Sequence, residues 1–312
     1  MQYYFLASLN GLKLSDKNVE SISTNSKIKV TNNLEKIRSF IDDGTRITMG
    51  QLEFNALVNG NAIAYFCGDF GSDDSLEIKL LTHLYQLQSL LMTTWLTQDN
   101  SINFDNGFAF IPNNSITTNY IAHQYTTSQA EKTITEISVD NLNTIIHLHN
   151  RIFDEPKNPD MPVSQLTHTH KQNRASRAIY MLNLARGEPD LAIKIAHYCA
   201  ALETLFATSQ SELTHQLSER VACFVHNAGD ERLELYKFIK QTYSIRSTVV
   251  HGSTLPEKKA SELNAISCRC DDILRDILYK ILNSDQLLSL FNQTTNTFDE
   301  TMIRMVLTES RS

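Results

Sequence analysis

Two residues of this chain have the types and the spacing to do chemistry together: Arg246 and His251, within Tyr243-Ser-Ile-Arg-Ser-Thr-Val-Val-His-Gly252. A histidine with an ordinary pKa of about 6.5 moves a proton at neutral pH, and a guanidinium holds phosphate oxygens through its planar fork and stabilises charge gathering on them. Such a pair suffices to cleave RNA without a metal, because RNA carries its own nucleophile, the 2′-hydroxyl. A five-residue offset puts the two about 140° apart around an ideal helix. Convergence therefore needs the reach of arginine, a helix that ends near Gly252, or a second subunit.

Spacing alone is a weak signal. Arg220 and His226 nearly repeat it beside Val221, Phe224 and Val225, and are read as structural. His147 with His149, and His168 with His170, supply too few ligands for a zinc site, and Cys268 and Cys270 lie two apart on a helix, which suits neither zinc nor a redox pair. No glycine-rich phosphate loop, Gly-x-Ser-x-Gly elbow or His-Glu-x-x-His occurs, so neither a metal nor a cofactor is expected. With a net charge of -7, RNA contact must come from a local patch, and Lys171, Arg174 and Arg177, with Arg186 beyond, supply one free of Asp and Glu. The competing reading of that run is a solvated helix face.

The elements that must position these residues fall into two halves of an α+β chain. A length of 312 residues, 41% hydrophobic and 20% charged, suits two folded domains. Residues 1–155 alternate candidate antiparallel strands (Gln2–Leu9, Lys27–Thr31, Ala62–Phe66, Phe104–Ile111, Thr118–Thr126) with turn pairs, around one helix over Asp74–Thr97. Pro156, Pro159 and Pro162 mark a boundary. Residues 163–295 carry helical periods: Arg174–Ala185, a helix capped by Asp190 and running to Thr208, Ser211–Asn227, Asp230–Tyr243 leading into the Arg246 stretch, a long helix from Glu257 to Leu282 opened by a Thr254–Glu257 capping box, and Asp285–Phe291. Residues 296–312 read as a polar tail. Five cysteines without framework spacing, no basic segment ahead of an apolar start, and no apolar run of about 18 residues point to a cytoplasmic protein without a membrane span.

Ala200-Ala-Leu-Glu-Thr-Leu-Phe206, Glu212-Leu213, Leu217-Ser-Glu-Arg-Val-Ala222 and the Tyr243–Gly252 stretch, in that order on successive helices, resemble the Apea-like branch of the HEPN superfamily over about residues 174–290. The resemblance implies an all-α bundle that forms homodimers and brings two Arg–His motifs into one cleft. It implies a metal-independent endoribonuclease that leaves a 2′,3′-cyclic phosphate, as in toxin, abortive-infection and antiviral, antiphage systems, with Arg246 binding phosphate and His251 moving the proton. Glu203 matches a recurrent acidic position, either orienting Arg246 or tying two helices together; Tyr243 either stacks on a base or belongs to the core. Ser247 departs from the pattern, since many active members place Asn, Asp or His after the motif arginine. Residues 1–155 would then serve as a sensor or regulatory module for a phage or host trigger. The alternative is a non-catalytic HEPN-like protein that dimerises or binds RNA or nucleotides.

Overall fold

A computed structural model describes residues 1–58, 62–120, 124–152, 173–209 and 211–307. The chain divides into two units, Met1–Thr127 with Lys132–Pro159, and Ser128–Glu131 with Asp160–Ser312. The first unit runs β1 (Gln2–Leu9), β2 (Leu12–Leu14), β3 (Lys29–Thr31), α1 (Leu34–Arg38), α2 (Asp43–Met49), α3 (Gln51–Leu57), β4 (Ala62–Asp69), α4 (Leu76–Thr97), β5 (Asn106–Ile111), β6 (Ser115–Tyr120), β7 (Thr135–Ile137) and α5 (Val139–Ile152). Five of the strands form one antiparallel sheet in the order β3-β4-β1-β5-β6, with Phe5 opposite Phe66 on one side and Ala109 on the other.

Alternation along β1 explains the layers, because successive side chains of a strand point to opposite faces. Tyr3, Phe5, Ala7 and Leu9 join a core with Leu80, Leu84, Leu87 and Leu91 of α4 and Ile145 of α5. Leu6 turns the other way, into a second core with Phe108, Phe110, Ile37, Met49 and Leu57, where the short helices cover the opposite face. The strand expected over Thr118–Thr126 lies earlier, at Ser115–Tyr120, because a tight turn returns the chain at once: Pro112 precedes Asn113 at φ 57°, and Asn114 N–H donates to Ile111 O at 3.0 Å. The parallel pairing of β2 with β7 was not expected.

Among the described residues the second unit holds helices and no strand: α6 (Arg174–Gly187), α7 (Leu191–Phe206), α8 (Leu213–Val225), α9 (Asp230–Val250), α10 (Glu257–Ala260), α11 (Leu263–Leu282), α12 (Asp285–Phe291) and α13 (Thr295–Leu307). Central among them is α7, which packs on α6, α8, α9 and α11 and buries Ile195, Tyr198, Leu202, Leu205 and Phe206 completely or nearly so. The Asp190 carboxylate caps it, accepting from Ala192 and Ile193 N–H, as expected.

Two expectations are corrected in this unit. The helix expected from Glu257 to Leu282 is broken: α10 ends after a single turn, and α11 starts afresh at Leu263. The N-cap of α10 is Pro256, which has no side-chain donor or acceptor, so the Thr254–Glu257 box does not form. The tail expected over 296–312 is helical through Leu307. Its Phe298 and Met302, one turn apart, are buried, and Phe298 stacks edge-on with Phe291 at 5.2 Å in a ring cluster with Phe206 and Phe224. No helix among the described residues is long and apolar enough to cross a membrane.

Candidate functional site

The motif sits at the end of α9, which continues unbroken from Asp230 through Val250. Gly252 adopts φ 69°, a left-handed conformation that glycine alone takes without strain, and this ends the helix. Gly252 N–H then donates to Val249 O and Ser253 N–H to Thr248 O, both at 3.0 Å, the paired bonds of a Schellman turn. His251 is thereby fixed as the C-cap, exposed to solvent, and its imidazole hydrogen-bonds to none of the described residues.

Arg246 faces the other way, towards α7. Its Nε stands 3.2 Å from Glu203 Oε1, in ion-pair range but not aligned as a hydrogen bond, and Nη2 donates to Oε2 at 3.4 Å. The guanidinium also lies 5.3 Å from the centre of the Tyr243 ring, close enough for a cation–π contact. The Tyr243 hydroxyl acts electrostatically on Glu203 as well, so the three side chains form one cluster. Burial pushes the Glu203 carboxyl above its usual range even though Arg246 and Tyr243 both pull it down. Burial, reinforced by the nearby Glu203 charge, raises the Tyr243 hydroxyl. Cys199, one turn before Glu203, is fully buried, and burial carries its thiol far up, out of the reactive range.

The sequence candidates thus separate into two sets. Arg246, Glu203 and Tyr243 come together, and Glu203 does contact the motif arginine. His251 does not join them within one chain, since it lies five residues on along the same helix. Ser247 is half-buried; its carbonyl accepts His251 N–H at 3.2 Å, while its hydroxyl hydrogen-bonds none of the described residues and does not orient Arg246.

The expected basic patch is corrected. Arg174 is buried, donates to Thr204 O and Ala207 O at the end of α7, and lies 4.4 Å from the centre of the Phe298 ring, so it caps a helix inside the bundle and does not face RNA. Arg186 is buried too, Arg177 is half-buried, and Lys171, His168 and His170 lie outside the described residues. Arg220, read as structural, donates to Phe206 O at 2.8 Å and pairs with Asp299. His147 is exposed whereas His149 is buried against Thr93, so the two do not face one site. No group of three or more His, Cys, Asp or Glu among the described residues is arranged to hold a metal.

Comparison with protein-family models, characterised proteins and solved structures returns no match. One contact near the motif escaped the sequence reading: Lys259 of α10 donates to Ser244 Oγ at 2.6 Å. The two residues lie on separate helices, so no local pattern announces it, although Ser244, Ser247 and His251 share a face by their spacing of three and four.

Proposed function

We propose that the helical unit is a HEPN-type, metal-independent endoribonuclease that acts as a symmetric dimer in defence against phage or as a toxin, with the first unit as its sensor or regulatory module. The observation that carries this is the Arg246–Glu203 pair, held half-buried between α7 and the helix that ends in the exposed His251. Burial raises the Glu203 carboxyl by more than Arg246 lowers it, and an ionisable group shifted by desolvation beside a specific charge partner is a candidate functional position. With Nε and Nη2 on the Glu203 side, the Nη1 donors of Arg246 remain for a phosphate oxygen.

In the reaction, the 2′-oxygen attacks its own 3′-phosphorus while an imidazole takes the hydroxyl proton. The 5′-oxygen leaves and receives a proton from a second imidazole, giving a 2′,3′-cyclic phosphate and a 5′-hydroxyl. A dimer supplies two copies of His251 and of Arg246 across a two-fold axis, so convergence within one helix is unnecessary. The test is RNA cleavage by purified protein in EDTA: Arg246→Ala and His251→Ala should each abolish it while the dimer persists, and unchanged cleavage by both would sink the assignment.

A second function is favoured by one observation: Arg246 is already neutralised within its own chain by Glu203. It is a non-catalytic dimer that binds RNA or nucleotides, and it would show lasting RNA binding without fragments in the same assay.

A further inference from the structure

We infer that the outer ridge of α9 is a phosphate track that carries an RNA strand to His251, an inference that deepens the proposed RNA-cleaving function and rests on it. Lys237, Lys240, Ser244, Ser247 and His251 follow one another at spacings of three, four, three and four, so they fall within about 80° of arc on a ridge about 21 Å long. Both lysines and His251 are exposed and both serines are half-buried. The ridge lies opposite the face that buries Phe238, Ile239 and Thr242 against the bundle.

Lys259 of α10 adds a third ammonium to this ridge, fixed by its 2.6 Å bond to Ser244 and with two N–H donors left over. None of the three lysines forms an ion pair among the described residues; Glu262, which accepts from Gln241 Nε2 at 3.2 Å, and Glu234, one turn before Lys237, are acidic side chains at the margins of the ridge. No Asp or Glu occurs from Tyr236 to Pro256, although the chain as a whole carries a net charge of -7. A local positive strip on an acidic protein raises the concentration of a polyanion at that strip.

The donors on the ridge are ammonium and hydroxyl groups, which bind phosphate and do not read base edges. Of its aromatic neighbours on α9, Tyr243 is turned towards Glu203 and Arg246, and the Tyr236 ring packs edge-on against His215 at 5.9 Å. The track therefore binds single-stranded RNA with little sequence preference and with the salt dependence of phosphate neutralisation.

The experiment measures binding of a labelled single-stranded RNA with 2′-O-methyl riboses, which has no free nucleophile, to the full chain across a range of salt. Removing the three lysines together (K237Q, K240Q and K259Q) should lower the slope of log affinity against log salt by about 2, at about 0.7 per lysine, for different homopolymers alike. Lys280→Gln on α11, also exposed, is the control and should leave the slope unchanged. Should K259Q disturb folding by losing Ser244, K240Q alone keeps the test, with an expected fall of about 0.7. A slope unchanged in the triple variant, or no RNA binding by the parent chain, overturns the track. Lysine-dependent binding without cleavage of ordinary RNA would instead leave the track standing and remove the nuclease assignment.

Discussion

Removing Arg246 should destabilise the helical unit in a way that depends on pH, whereas neutralising Glu203 should not. At 3.2 Å, two unit charges attract by about 5 kcal/mol at an effective dielectric of about 20, before desolvation is counted. In Arg246→Met the Glu203 carboxylate, only 20% exposed, loses that attraction while its burial penalty stays. Breaking a fully buried pair costs about 3–5 kcal/mol, and partial exposure lowers this to about 2–3 kcal/mol near pH 8. Its carboxyl pKa, already raised by burial, rises further. A carboxyl raised in the folded state contributes stability that is complete below its unfolded value, about 4.5, and is lost as pH rises through the folded value. The parent chain loses stability in the same way up to its own folded value, so the deficit of Arg246→Met relative to it should grow only above that value, which burial already places above 4.5, by at most about 1.4 kcal/mol per pH unit. Glu203→Gln removes a charge that burial disfavours and leaves an amide oxygen to accept from Arg246, so it should change stability by less than about 1 kcal/mol while impairing RNA cleavage. Urea unfolding at pH 5, 6, 7 and 8, followed by circular dichroism, measures both. A deficit independent of pH, or a Glu203→Gln loss as large as that of Arg246→Met, would refute the reasoning.

Further outcomes follow from other parts of the fold. Gly252→Ala should cost about 1–2 kcal/mol and Gly252→Asn less, because φ 69° strains the backbone while nothing lies within 4 Å of an added Cβ; equal losses in thermal unfolding would contradict this. Phe298→Ala should cost about 3–5 kcal/mol, since it empties a fully buried ring site shared with Phe291 and the Arg174 guanidinium; a melting temperature within a degree of the parent would mean that α13 does not dock. Burial holds the His83 imidazole at about 4, so stability present above pH 6.5 should fall as acid approaches 4, by up to about 1.4 kcal/mol per pH unit, and His83→Gln should flatten that slope in the first unit.

What the sequence discloses follows the range over which each signal acts. The Leu76–Trp95 stripe of α4, the Asp190 cap and the Gly252 stop are local patterns, and each stands where its spacing puts it. Helices α1 to α3 run only five to seven residues, too short for a 3.6-residue period to register. The pairing of Leu12–Leu14 with Thr135–Ile137 joins segments far apart in the chain, beyond any local signal. Polar neighbours disguise α13, whose two buried anchors, Phe298 and Met302, meet partners elsewhere in the bundle. Arg174 misleads for the same reason: its acceptors, Thr204 O and Ala207 O, lie some thirty residues on. At the site, Arg246 and His251 are visible as a pair, whereas the contacts of Glu203 with Arg246 and of Lys259 with Ser244 exist only once separate helices pack.

The most direct measurement of the nuclease assignment is mass spectrometry of the 3′ ends left when the purified chain meets RNA in excess EDTA. Fragments ending in 2′,3′-cyclic phosphate, formed by the parent chain and by neither Arg246→Ala nor His251→Ala, are the predicted result. Ends bearing a 3′-hydroxyl, or cyclic phosphates still produced by the His251→Ala protein, would contradict it.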